Sequence, residues 1–121
     1  MIGDLLAGLR ARGVKTAIAS MSHNVLDVVA RLWIEPLIDL IVDPATLVKC
    51  KPDPEIFLAA AEHLGVRFED CVGIEDARAG VEAIKAARMV AVGVGRDLPG
   101  ADWLVSDTRS LTVDALEARF Q

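Results

Sequence analysis

The chain has 121 residues, 53% apolar and 26% charged, with a mean hydropathy of +0.39. That much apolar surface offsets the ordering entropy of a core and excludes disorder, while no apolar run reaches the ~20 residues that span a bilayer. Lys+Arg number 13 against 18 Asp+Glu, a net charge of −5, and this sign excludes binding to a nucleic-acid phosphate backbone.

The length suits one domain. Met1-Ile2-Gly3-Asp4 has no basic stretch of the kind that opens a secretory signal. Cys50 and Cys71 fit no metal-binding spacing. They are expected as reduced thiols of a cytoplasmic protein.

In chain order, Ile2–Arg12 is predicted as a helix, with Leu5, Leu6 and Leu9 on one face and Gly13 as its stop. Val14–Ser20 reads as a strand that runs into the polar loop Met21-Ser22-His23-Asn24. Val25, Val28, Val29 and Leu32, at i, i+3, i+4 and i+7, predict a second helix, closed by Pro36. Leu37–Val42 is apolar enough for a strand covered on both faces. Asp53-Pro54 predicts a helix start, with Asp53 as N-cap and Pro54 in the first helical position. Ile56, Phe57, Ala60 and Leu64 form its buried stripe and Gly65 its stop. Cys71–Ile74 is a short buried strand, Ala77–Arg88 a helix with Val81 and Ile84 inward, and Met89–Val94 another strand. Asp102–Val105 adds a short last strand. Thr112–Phe120 closes the chain as a helix with Val113, Leu116 and Phe120 on one side.

Strands alternating with amphipathic helices predict an α/β fold with a parallel sheet and right-handed crossovers. Ligands in such folds bind beyond the carboxyl ends of the strands. Chemistry is therefore sought in Ser20–Asn24, Asp43–Lys51, Glu75–Asp76 and Gly93–Arg96.

Ser20, Ser22 and Asn24 offer small hydroxyls and an amide at a helix start, which suits either a phosphate cradle or helix capping. His23 in the same loop is either a ligand or base, or a plain loop residue. Lys51 precedes Pro52-Asp53-Pro54-Glu55. Held by that turn, it can meet a phosphoryl oxygen as a point charge, or it is simply solvated. Glu75-Asp76 puts two carboxylates at the end of an apolar strand. That suits Mg²⁺, which takes a few carboxylates alongside water and phosphate; the alternative is that Asp76 caps the helix and Glu75 is solvated. Gly93-Val94-Gly95-Arg96 lacks the third glycine of a dinucleotide fingerprint and reads as a turn with one basic residue.

The series S-x-S-x-N, K-P-D-P-E-I-F, G-I-E-D-A-R-A-G-V-E-A-I-K-A-A and G-V-G-R runs over essentially the whole chain. It closely resembles the haloacid dehalogenase-like phosphotransferase superfamily, and within it the β-phosphoglucomutase group. The resemblance implies a Rossmann-like three-layer core and Mg²⁺-dependent phosphoryl transfer through an aspartyl-phosphate. The implied reaction is interconversion of β-glucose 1-phosphate and glucose 6-phosphate. By the same resemblance Ser20 bonds the transferring phosphoryl group and Lys51 neutralises it. Asp76 binds Mg²⁺ with Glu75 beside it, and Ser22 and Asn24 hold the second phosphate of a bisphosphate. His23 stands where the mutase group usually has Lys, and Cys50 where it usually has Gly.

The family's nucleophile lies in an N-terminal D-x-D-G segment on the first, central strand, followed by a helical cap. No D-x-D occurs in this chain. Residues 1–121 are therefore expected to form one partial core domain without the nucleophile strand or the cap. Two alternatives accompany the mutase: a phosphatase of a small phosphorylated metabolite, and a non-catalytic binding module. The expected partners are a phosphorylated sugar, and either a missing N-terminal half or a second copy, joined through open sheet edges; neither nucleic acid nor membrane is expected.

Overall fold

The computed structural model describes residues 2–20 and 35–120. Its elements are α1 (Ile2–Ala11), β1 (Ala17–Ile18), β2 (Leu40–Ile41), α2 (Glu55–Leu64), β3 (Val72–Glu75), α3 (Arg78–Ala86), β4 (Val90–Val94), β5 (Trp103–Val105) and α4 (Val113–Phe120). Short 3-10 turns occupy Glu35–Leu37, Pro44–Thr46, Phe68–Asp70 and Thr108–Ser110. The loop carrying Ser22, His23 and Asn24, and the helix expected over Val25–Leu32, lie outside the described residues.

Every strand pairing is parallel, as the alternation predicts. The strands form two sheets, one ordered β1-β2 and one ordered β3-β4-β5. β1 and β2 are shorter than the predicted strands Val14–Ser20 and Leu37–Val42. Pro36 lies in a 3-10 turn, and side chains take up the neighbouring backbone groups. The Asp39 carboxylate accepts the Thr16 N–H at 2.8 Å, and the Thr16 hydroxyl donates to the Leu37 carbonyl at 3.1 Å.

Helices cover both faces. On one, Ile56, Phe57, Ala60 and Ala61 of α2 and Val81, Ala83 and Ile84 of α3 pack with Val42 and Ala91, and Ala17, Ala19 and Leu40 lie against the same cluster. This core therefore underlies both sheets. On the other face Leu5 of α1 packs with Val92, Val105 and Leu111. The β4 run is apolar throughout because Ala91 faces one core and Val92 the other. Three layers result.

α2 begins at Glu55, later than the predicted Asp53-Pro54 start. Pro54 occupies the cap position, and the Asp53 carboxylate accepts the Glu55 N–H at 3.0 Å. Gly65 ends the helix in the left-handed conformation (φ 70°), as expected. Asp102 fastens β4 to the start of β5. Its carboxylate accepts the Ala91 N–H at 2.7 Å and the Lys85 ammonium at 2.9 Å. The Ala91 bond first, and then Lys85, hold this carboxyl below its ordinary range.

Candidate functional site

The K-P-D-P-E run makes a tight structure ahead of α2. The Asp53 N–H donates to the Cys50 carbonyl at 3.0 Å, and Lys49 pairs with Asp53 at 3.9 Å. The Glu55 carboxylate folds back to accept the N–H groups of Val48 and Lys49. Lys51 is thereby carried away from solvent and across to the strand ends.

Its ammonium donates to the Ala19 carbonyl, just past β1, at 3.0 Å and to Glu75 Oε2, the last residue of β3, at 2.7 Å. The Lys51 and Glu75 side chains are 19% and 12% exposed, so the pair is partly withdrawn from water and little screened. The same ammonium lies over the Phe57 ring, 5.2 Å from its centroid. The carboxyl ends of β1 and β3 therefore meet at one cation, although the two strands belong to different sheets. Ser20 directly follows Ala19 and is half-buried.

Glu75 and Asp76 part at this point. Glu75 is bound to Lys51 through one oxygen and accepts the Asp76 N–H at 3.2 Å through the other. Asp76 is exposed. It does not cap α3: the cap position belongs to Ala77, which lacks a side-chain cap bond, and Glu75 is not solvated. A helix-capping role for this acidic pair is thereby corrected. Among the described residues no group of three or more His, Cys, Asp or Glu converges as a metal site. Two adjacent carboxylates, one of them already bound to Lys51, fit Mg²⁺ only with water and phosphate completing its shell.

Two positioning features are hard to see in the sequence. A Cβ on Gly80 would fall 1.9 Å from Glu75 Cγ and 2.2 Å from its Oε2. Only glycine there lets α3 lie against the Glu75 side chain. Phe57 has the burial and spacing of an ordinary core residue, so periodicity alone hides its contact with Lys51. For Gly80 the available signal was a glycine inside a helix, where it costs about 1 kcal/mol relative to Ala and so asks for a packing reason.

Other candidates are structural. Asp43, just past β2, accepts the Ala45 N–H at 2.9 Å and caps a 3-10 turn. Of Gly93–Arg96, read in the sequence as a turn, Gly93 and Val94 end β4 and the turn begins only at Gly95, which has φ 127°; the Asp97 carbonyl beyond it accepts from Arg78 at 2.9 Å. Both cysteines are free. Burial, then the charges of Asp70 and Glu69, push the Cys71 thiol up, away from a nucleophilic thiolate.

Known proteins resemble this chain over nearly its whole length. The chain is 48% identical to a β-phosphoglucomutase of Bacillus subtilis, over 99% of its own length and 54% of the relative's. It is 34% identical to a phosphorylated carbohydrates phosphatase of Thermotoga maritima, over 71% of its own length and 41% of the relative's. It superposes on a crystal structure of β-phosphoglucomutase from Clostridium difficile with a TM-score of 0.94 and 37% identity, covering 98% of this chain and 54% of that one. The chain thus spans about half the length of the curated relatives it matches. Among the described residues no helix is long and apolar enough to cross a membrane. A family model for haloacid dehalogenase-like hydrolases matches residues 1–88, and the chain belongs to that family.

Proposed function

We propose that this chain forms the phosphoryl-binding end of a sugar phosphomutase that interconverts β-glucose 1-phosphate and glucose 6-phosphate. The observation that carries this is the Lys51 ammonium held where β1 and β3 end. Phosphoryl transfer needs little covalent chemistry from the protein beyond a nucleophile. Positioning and charge neutralisation do the rest. Lys51 supplies a fixed positive charge there, and the Ser20 hydroxyl donates to a phosphoryl oxygen. Asp76, with Glu75 beside it, would hold Mg²⁺, which neutralises phosphate charge when bound. Ser22 and Asn24 are assigned to the distal phosphate by resemblance alone.

The nucleophile is the missing part. β1 pairs only with β2 and β3 only with β4 among the described residues. Val72 and Ile74 of β3 remain 42% and 41% exposed. Such an edge takes a further strand. A strand carrying the family's D-x-D segment, laid between β1 and β3, would bring its carboxylate to Lys51. Residues 1–121 then act as one partial core domain, with Mg²⁺ as cofactor.

The test is to combine the chain with the part of the Bacillus relative that it does not cover. The mixture is assayed with β-glucose 1-phosphate, glucose 1,6-bisphosphate and Mg²⁺. Glucose 6-phosphate is expected from the mixture, none from the chain alone, and none after Lys51→Ala. Release of inorganic phosphate without glucose 6-phosphate would favour the phosphatase instead. Inactivity of the mixture, with the two parts shown to associate, would favour a binding module.

A further inference from the structure

We propose that Phe57 is a positioning residue for Lys51: its ring holds the ammonium at the seam between the two sheets. Burial alone does not explain an aromatic side chain here. Phe57 is 7% exposed, next to Ile56 at 0%, within a stripe that Ala60 and Ala61 complete. Leucine or methionine would satisfy the same stripe. What distinguishes phenylalanine is its electron-rich face, and the Lys51 Nζ lies over that face, 5.2 Å from the centroid. An ammonium has three hydrogens and no acceptor. Two go to the Ala19 carbonyl and Glu75 Oε2, and the ring attracts the remaining positive surface.

The contact matters because lysine is a flexible chain bearing a compact charge. Holding it costs rotamer entropy, and a point charge acts only through its distance from the group it meets. The two oxygen partners lie at the ends of strands in different sheets, Ala19 just past β1 and Glu75 the last residue of β3. Phe57 belongs to the helix beneath both, so its ring fixes the ammonium relative to the common core. In its consequence for catalysis this rests on the assignment of Lys51 to the phosphoryl group; the placement of the ammonium does not.

The test therefore reads Lys51 itself. Phenylalanine at position 57 is replaced, by site-specific incorporation, with 4-fluoro- and 3,4,5-trifluorophenylalanine. These keep the ring's shape while draining its negative face. Phe57→Leu removes the ring. Acylation by a water-soluble N-hydroxysuccinimide ester is mapped by mass spectrometry as the rate at Lys51 relative to exposed Lys49. The ratio is expected to rise in steps along the fluorinated series, by about two- to fivefold at the trifluoro end, given the usual strength of a cation–ring contact. Side-chain ¹⁵N relaxation of the Lys51 ammonium should show increasing motion in the same order. A ratio that stays flat across the fluorinated series would overturn the proposal and leave Phe57 a packing residue. Phe57→Leu adds the extreme of the series if folded, and the fluorinated variants decide the matter if it is not. No arm depends on turnover, so failure here and failure of the mutase assignment are separable.

Discussion

Lys51 Nζ and Glu75 Oε2 stand 2.7 Å apart across 24 residues of sequence. The pair joins the loop before α2 to the last residue of β3, and through Ala19 it reaches the other sheet. Removing one partner from a partly buried pair leaves the other charge without compensation. Lys51→Ala is expected to cost about 2–3 kcal/mol in urea denaturation. The double variant Lys51→Met, Glu75→Gln should recover part of that loss, because no lone charge remains. Equal stability of Lys51→Ala and the parent chain would show the pair to be merely a surface contact.

Gly80→Ala sets two effects against each other. Alanine favours an exposed helix interior by about 1 kcal/mol. Here its Cβ would meet the Glu75 side chain at 1.9–2.2 Å. Overpacking of this kind costs about 1–3 kcal/mol, so net destabilisation is expected. Glu75 must also swing away from Lys51. Backbone amide shifts at Asp76 and altered acylation at Lys51 would report that movement. Stabilisation by Gly80→Ala would mean that Glu75 relaxes without loss.

The parallel α/β architecture is legible in the sequence because each element carries its own period. Val81 and Ile84 recur at helical spacing, and the run from Val90 to Val94 is apolar on both faces. Element ends are less legible. Asp39 and Thr16 take up backbone groups that would otherwise extend the ladder, and Pro54 sits one place earlier relative to α2 than its ring geometry suggests. In the site, Lys51 and Glu75 are visible as strand-end and helix-start charges, yet their bond is not. A contact over 24 residues depends on how the fold carries the loop before α2 to the end of β3. Phe57's contact with Lys51 is hidden because its local pattern reports only packing, whereas Gly80 is betrayed only by being a glycine inside a helix. Ser22, His23 and Asn24 remain sequence-based assignments.

Acid stability should depend on Asp102. Its folded carboxyl lies below the ordinary value, chiefly through the Ala91 N–H and then Lys85. At pH just under the unfolded value of about 3.9 the native state binds fewer protons than the unfolded one. Its contribution is therefore present above that pH and is lost as pH falls through the lower folded value. Asp102→Asn should lower stability at neutral pH by about 1–2 kcal/mol, since Lys85 and the Ala91 N–H lose a charged acceptor, with solvent exposure limiting the effect. It should also flatten the decline below pH 4. Urea midpoints from pH 7 to pH 2 test this, and parallel declines in both proteins would refute it.

The free edge of β3 sets the last expectation. Val72 and Ile74 are 42% and 41% exposed, whereas Gly73 between them is buried. The strand thus shows apolar side chains to solvent beside backbone groups that have no second strand among the described residues. At the far edge of the same sheet β5 exposes Leu104 at 49%, but that strand has only three residues, and short edges recruit strands poorly. The chain alone should therefore associate with concentration, through β3 rather than β5. A lysine on an edge strand opposes pairing, because a second copy would have to bring its own charge beside it. Val72→Lys is expected to weaken association at least tenfold in Kd, about 1.4 kcal/mol, whereas Leu104→Lys should leave it nearly unchanged. Sedimentation velocity over micromolar to high micromolar concentrations measures both, and hydrogen exchange at 72–74 should slow as the parent chain associates. A parent chain that stays monomeric throughout, with slow exchange at 17–19 and 72–74 at every concentration, would instead mean that β1 and β3 close on each other in solution.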